Sequence, residues 1–176
     1  MFTPKLLIPL LCLLAQAAQA EVKTPQLGKS ASSALIARWN TDIFPDGEGL
    51  PAGQGNVAQG KVVYEQYCQS CHGAEGRGGS ADELAGAAHG LTDNPPDKTI
   101  GTYWPYATTI FDFTRRAMPL DRPGILRDDE VYAVTAYLLF LNHLVSANEI
   151  LSAQNLAKIV MPNRHGFIDV YEDTKK

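Results

Sequence analysis

Cysteine is nearly absent from this chain: three residues in 176, at positions 12, 68 and 71. Cys12 falls in an apolar leader, so the remainder holds a single pair. That leaves no framework of disulfides of the kind that staples small secreted domains. A zinc site needs further ligands, usually a second Cys pair or a His pair, and no second Cys pair exists. The βαβ alternation that accompanies a thioredoxin-like Cys pair is missing as well. No apolar run spans a bilayer comfortably; Leu6 to Leu14 is too short and Pro9 interrupts it. Positive charge is not in excess: 15 Lys plus Arg stand against 19 Asp plus Glu, for a net charge of −4. The balance argues against a nucleic-acid partner.

At 45% hydrophobic over this length, the expectation is one domain with one core. Residues 1–20 read as a secretory signal peptide. Lys5 gives the positive start, Leu6 to Leu14 the apolar stretch, and Ala18-Gln19-Ala20 a small-x-small cleavage site. An uncleaved membrane anchor is the alternative, disfavoured by length. Leu11 stands before Cys12 where a lipoprotein would carry a small residue. No membrane span is expected after cleavage. Losing Lys5 lowers Lys plus Arg from 15 to 14 against 19 acids, so the mature charge is −5. An acidic carrier is steered toward a basic patch on its partner.

The chemistry sits in Cys68-Gln69-Ser70-Cys71-His72, the attachment pattern of one covalent c-type haem. Two thiols add to vinyl groups on one porphyrin edge, and the imidazole next to the second reaches the iron. Cys68 and Cys71 are therefore the covalent anchors and His72 the proximal ligand. A zinc or dithiol protein without haem is the bland alternative.

Residues 21–55 read as an N-terminal arm, rich in turn signals such as Phe44-Pro45-Asp46-Gly47, with Trp39, Ile43 and Phe44 as apolar anchors against the domain. A helix is expected from Asn56, where Asn56 and Gln59 have capping-box spacing. Gly60, Val63, Tyr64, Tyr67 and Cys71 then follow a helical period. Gly60 costs a helix interior about 1 kcal/mol, which close approach of another helix would offset. Residues 73–101 are glycine- and proline-rich and read as a long loop wrapping the macrocycle edge.

A second helix is expected from Pro105 to about Ala117, with Tyr106, Ile110 and Phe113 as its apolar stripe. Arg115 and Arg116 lie in its last turn; either one, or Trp104 through its indole N–H, is a candidate contact for a haem propionate. Ordinary helix-end charge and a core tryptophan are the competing explanation.

Met118-Pro119 follows, and Pro119 biases Met118 out of helical geometry so that its thioether can turn inward. A His/Met pair is the ligation that raises a haem potential. Met161-Pro162 competes, but Met118 lies before the last strong helix and Met161 beyond it. His89, His143 and His165 are weaker candidates for the sixth position. The last strong helix is expected over Asp128 to Asn142, with Val131, Val134, Leu138 and Leu141 buried and Tyr137 able to pack on Gly60. Residues 147–158 are expected to form a short helix, and 161–176 an arm.

In sum these segments resemble an all-α class I monohaem cytochrome c over residues 56–145, between N-terminal (21–55) and C-terminal (146–176) arms. Three segments give a narrower likeness: Thr99-Ile100-Gly101-Thr102-Tyr103-Trp104-Pro105-Tyr106-Ala107-Thr108, Arg115-Arg116-Ala117-Met118-Pro119, and Asp128-Asp129-Glu130-Val131-Tyr132-Ala133-Val134-Thr135-Ala136-Tyr137. With the tail Met161-Pro162-Asn163-Arg164, they resemble the cytochrome subunit of periplasmic sulfur-oxidising dehydrogenases. The chain departs from that pattern in having Arg127 where a hydroxyl cap is common, and in having one haem motif where dihaem versions carry a second domain. The resemblance implies a periplasmic, non-enzymatic electron-transfer protein. Its partner would be a redox protein, a molybdenum dehydrogenase subunit acting on sulfane sulfur or sulfite. A soluble carrier for another periplasmic dehydrogenase and a haem enzyme or sensor with an open sixth position are the alternatives.

Overall fold

A computed structural model of the chain describes residues 27–168, 170 and 171. The expected signal peptide, with Cys12, lies outside the described residues. The chain divides into two compact units after Trp39. In the first, Ser32 opens a short helix α1 (Ser33–Trp39), its hydroxyl accepting the Leu35 N–H at 3.2 Å. No residue of α1 is buried, and Leu35, Ile36 and Trp39 are all exposed.

The second unit, Asn40–Lys176, holds the core. Residues 40–55, taken as arm from the sequence, belong to it. Ile43 and Leu50 pack against the core cluster, while Phe44 stays about half exposed. Strand β1 (Gln54–Asn56) runs straight into α2 (Val57–Tyr67). The expected capping box closes there: the Asn56 side chain accepts from Gln59 N–H at 2.8 Å, and Gln59 accepts from Asn56 N–H at 3.1 Å. A short helix α3 (Gln69–His72) and a 3₁₀ turn (Ala74–Gly76) follow. A long irregular stretch then runs to α4 (Ile100–Tyr103). It is pinned by its own carboxylates: Asp97 accepts the N–H groups of Ala88 and His89, and Asp93 that of Gly90.

Helix α5 (Ala107–Ala117) begins two residues later than the proline suggested, and its buried face differs from expectation. Ala107, Ile110, Phe111 and Thr114 point inward, whereas Phe113 is 45% exposed. The i, i+3, i+4, i+7 spacing anchored on Ala107 explains why Phe111 takes the core.

Helix α6 (Asp128–Leu141) is the centre of the fold. The sequence suggested one buried face, yet every residue from Val131 to Leu139 is buried. A helix apolar on all sides must be surrounded, and α2, α5, β1 and the segment Ile150–Ser152 do so. Gly60 of α2 lies against Ala133 and Tyr137 of α6, where an added Cβ would come within 2.8 Å of Tyr137 Cβ. Tyr64 and Tyr137 pack as tilted rings with centroids 5.3 Å apart, and Phe111 and Tyr132 at 4.4 Å. The Tyr132 hydroxyl donates to the carbonyl of Pro51 at 2.8 Å.

The helix expected over 147–158 is replaced by β2 (Ile150–Ser152) and a 3₁₀ turn (Leu156–Lys158). Asn155 stops a helix there. Its side chain accepts from Ser152 N–H at 2.7 Å and donates to the Ile150 carbonyl at 2.7 Å, folding the backbone back on itself. Strand β2 pairs antiparallel with β1, Gly55 opposite Leu151. The pair is an addition to a helical fold and leaves the all-α class intact.

Candidate haem-binding site

Cys68 closes α2, its N–H donating to the Tyr64 carbonyl at 2.8 Å. Its own carbonyl then accepts from Cys71 and His72 N–H groups at 3.1 and 3.0 Å. One tight turn therefore carries both thiols and the imidazole. Gly73 ends it at φ 78°, a left-handed value that favours glycine. The Tyr64 hydroxyl fixes this exit by donating to the Gly73 carbonyl at 2.8 Å. Burial pushes the Tyr64 phenol up to about 12, so it remains a donor across the physiological range.

The two cysteines are not joined to each other. Cys68 is half-buried against the core cluster and Cys71 is exposed. Burial, and to a lesser degree the Cys71 thiol, pushes free Cys68 up to about 11, which keeps it neutral. His72 Nδ1 lies 2.8 Å from the carbonyl oxygen of Asp82. A carbonyl only accepts, so Nδ1 donates here, and Nε2 is the nitrogen left to face a metal. Among the described residues, no group of three or more His, Cys, Asp or Glu side chains gathers to hold a metal ion. One nitrogen lone pair beside two unbridged thiols is the donor set for a covalently tethered porphyrin, and the residues present fit that group.

Met118 is the C-cap of α5, in extended geometry (φ −118°, ψ 147°), so the backbone leaves the helix here as Pro119 suggested. Met161 is 1% exposed and is part of the core cluster. Packing accounts for that thioether, and Met118 is the one held at a helix end. The candidate histidines are all on the surface. His89 lies 3.5 Å from Asp97, and His143 takes a left-handed turn at the end of α6.

Trp104 closes α4 and packs on Phe113 with ring centroids 5.8 Å apart. Arg115 donates to Asp128 at 2.8 Å, and Arg116 is paired with Asp112. These two and Arg127 meet in an open cleft of about 440 Å³. Arg127 in turn faces Glu130 at 3.3 Å. Each arginine already has a carboxylate, so the cleft holds no reserve of uncompensated positive charge. A propionate there would have to share or displace those partners, whereas the Trp104 indole N–H makes no hydrogen bond among the described residues.

The sequence did not point to Asp82, because its carbonyl acts through the backbone and has no side-chain signature. It also did not point to Asn142, which ties the segment around Asp82 to α6 (below). A polar residue at the end of an otherwise apolar helix was the available signal. No helix among the described residues is long and apolar enough to cross a membrane.

Comparison with known proteins identifies the family. Residues 57–142 match the cytochrome c family. A chain in the crystal structure of the sulfane dehydrogenase SoxCD from Paracoccus pantotrophus is 40% identical, with a TM-score of 0.78 over 86% of this chain and 76% of that one. A thiosulfate dehydrogenase of Stutzerimonas stutzeri (strain A1501) is 30% identical over 93 residues, half of this chain. The alignment spans 28% of that curated relative.

Proposed function

The chain belongs to the cytochrome c family, with covalent haem c and an electron-transfer role, and from that premise we propose that it is a single-haem carrier accepting electrons from a sulfur-compound dehydrogenase. When bound, the haem supplies reversible one-electron chemistry at iron. Cys68 and Cys71 would hold it covalently, His72 would ligate the iron through Nε2, and Met118 would supply the second side-chain ligand. Iron held by these two side chains would carry electrons without binding a substrate. Its own work is to fix the imidazole, to keep Met118 at the helix end, and to pack Trp104 against Phe113 beside the loop.

The observation that carries the dehydrogenase reading is the extent of the likeness to the sulfane dehydrogenase chain. It covers 86% of this chain, more than the family-matched residues 57–142, so parts of the flanking segments are shared. Segments outside the helical core are where a carrier dedicated to one donor would differ from a general one. A molybdenum-containing subunit oxidising sulfane sulfur or sulfite is the proposed donor, and the periplasm the proposed compartment, entered through the leader at 1–20.

Co-purification of the native protein, with molybdenum assay of the associated chain, tests the partner. Reduction of the haem by sulfite or thiosulfate in extract is expected. If neither occurs while the haem is reducible by other periplasmic dehydrogenases, the sulfur reading falls and a carrier for another enzyme remains. The far-red thioether–ferric band tests Met118. Its absence, with rapid cyanide or carbon monoxide binding, indicates an open-site haem protein.

A further inference from the structure

We propose that Asn142 is a positioning residue for the proximal imidazole, acting through Leu84 and Asp82; this rests on the assignment of His72 as an axial ligand.

The Asp82 carbonyl that orients His72 belongs to an irregular stretch with no ladder of its own to hold it. Two tethers bracket it. On one side Ala81 N–H donates to the Cys71 carbonyl at 2.8 Å. On the other, Leu84 is fixed at both its backbone groups. Its N–H donates to Gly76 at 2.8 Å, and its carbonyl accepts from Asn142 Nδ2 at 3.0 Å and from Ile100 N–H at 3.2 Å.

Asn142 is built to hold that carbonyl. It caps α6, the most buried helix of the domain. Its amide donates a second bond to Leu138 at 2.8 Å, and its Oδ1 accepts from Gly101 N–H at 3.0 Å. Three bonds lock the side chain in one orientation. Gly101 permits the approach, since a Cβ there would lie 2.6 Å from Oδ1. The rigid helix is thereby joined to the loop two residues from the His72 acceptor. Outer-shell groups of this kind set the basicity of a ligating imidazole through the bond at its far nitrogen. Loosening Leu84 lets the Asp82 carbonyl drift, weakens the Nδ1–H bond, and makes His72 a poorer donor to ferric iron.

The test uses the full-length holoprotein. In Asn142→Leu the reduction potential is expected to move positive; the carboxylate added in Asn142→Asp favours ferric iron by its charge alone, so that variant is read by proton exchange. Solvent exchange of the His72 Nδ1 proton, followed by NMR, is expected to quicken about fivefold, the factor implied by losing one ordinary hydrogen bond. Asn142→Asp retains the acceptor toward Gly101 but not the donor toward Leu84, and carries the test alone if the leucine variant does not accumulate. Thr102→Val is the control. It removes the bond from Thr102 Oγ1 to the Asp97 carbonyl (2.6 Å) and the one Thr102 Oγ1 accepts from Thr99 N–H (3.0 Å), neither of which reaches Leu84 or Asn142. It should lower thermal stability and leave potential and exchange unmoved. Asn142 variants that lose stability with their readouts at wild-type values overturn the proposal, as does an equal shift in Thr102→Val. A wild-type spectrum without histidine ligation overturns the His72 assignment first, and the proposal with it; that result is read before any variant.

Discussion

Gly60 of α2 lies directly against the backbone of Ala133 on α6, with no room for a side chain between them. The helix bearing the cysteine pair is thus seated on the central helix backbone to backbone. Gly60→Ala sets two effects against each other. Helix propensity would gain about 1 kcal/mol, while an added methyl against main chain costs about 1–3 kcal/mol. Here the obstacle is backbone and cannot rotate away, so the second effect wins. Thermal or denaturant unfolding of the variant is expected to show net destabilisation; a more stable variant would mean that the helices slide apart at no cost.

Tyr132 joins the core to the segment before β1. Tyr132→Phe retains the ring packed on Phe111 and removes the bond to the Pro51 carbonyl. A loss of about 1 kcal/mol is expected in denaturant unfolding, the net worth of one hydrogen bond. Tyr132→Ala should cost about 3–5 kcal/mol, because it leaves a cavity beneath α5.

Acid should weaken the start of α6. Glu130 accepts the Arg127 N–H at 2.8 Å, and this bond, with the neighbouring guanidinium, holds its carboxyl below the usual range. A lowered folded pKa means the contribution is complete above the unfolded value near 4.5 and is lost as pH falls through the folded one. Glu130→Gln is expected to flatten the stability profile below pH of about 4.5 and to lower stability at neutrality, where the Glu130 contribution is complete. A variant that tracks wild type throughout the acid range would show that the cap carries no linkage.

The two internal methionines should separate cleanly. Met161→Leu changes a fully buried side chain for one of similar volume, so the haem spectrum should be unchanged and the stability loss below about 1.5 kcal/mol. Met118→Leu should abolish the far-red band and lower the reduction potential, because thioether ligation favours ferrous iron. Reversal of the two outcomes would transfer the sixth position to Met161.

Local signals were legible where chemistry is local. Asn56, Gln59 and Gly60 announced the start of α2 and what it packs on, because caps and close approaches depend on residue type at fixed offsets. The tight turn carrying Cys68, Cys71 and His72 was legible for the same reason. The face of α5 was misread because Phe111 and Phe113 are equally apolar, and only the partner surface decides which turns inward. Strand β2 was unreadable as a strand, since three residues gain that form only by pairing with β1 nearly a hundred positions earlier. The His72–Asp82 bond was invisible for a deeper reason: every residue offers a carbonyl, and only the folded path of the loop selects one.

The β1–β2 pairing joins Gln54–Asn56 to Ile150–Ser152, and Leu151, Leu156 and Met161 fill the core behind it. The clasp therefore closes outside the stretch that matches the family. A version trimmed to residues 57–142 would keep every haem-bearing side chain but lose its latch and three buried apolar groups, each worth about 1.5–3 kcal/mol. Anyone grafting this module into an artificial electron relay should cut no closer than the strands, because the minimal unit by homology is smaller than the minimal unit by mechanics.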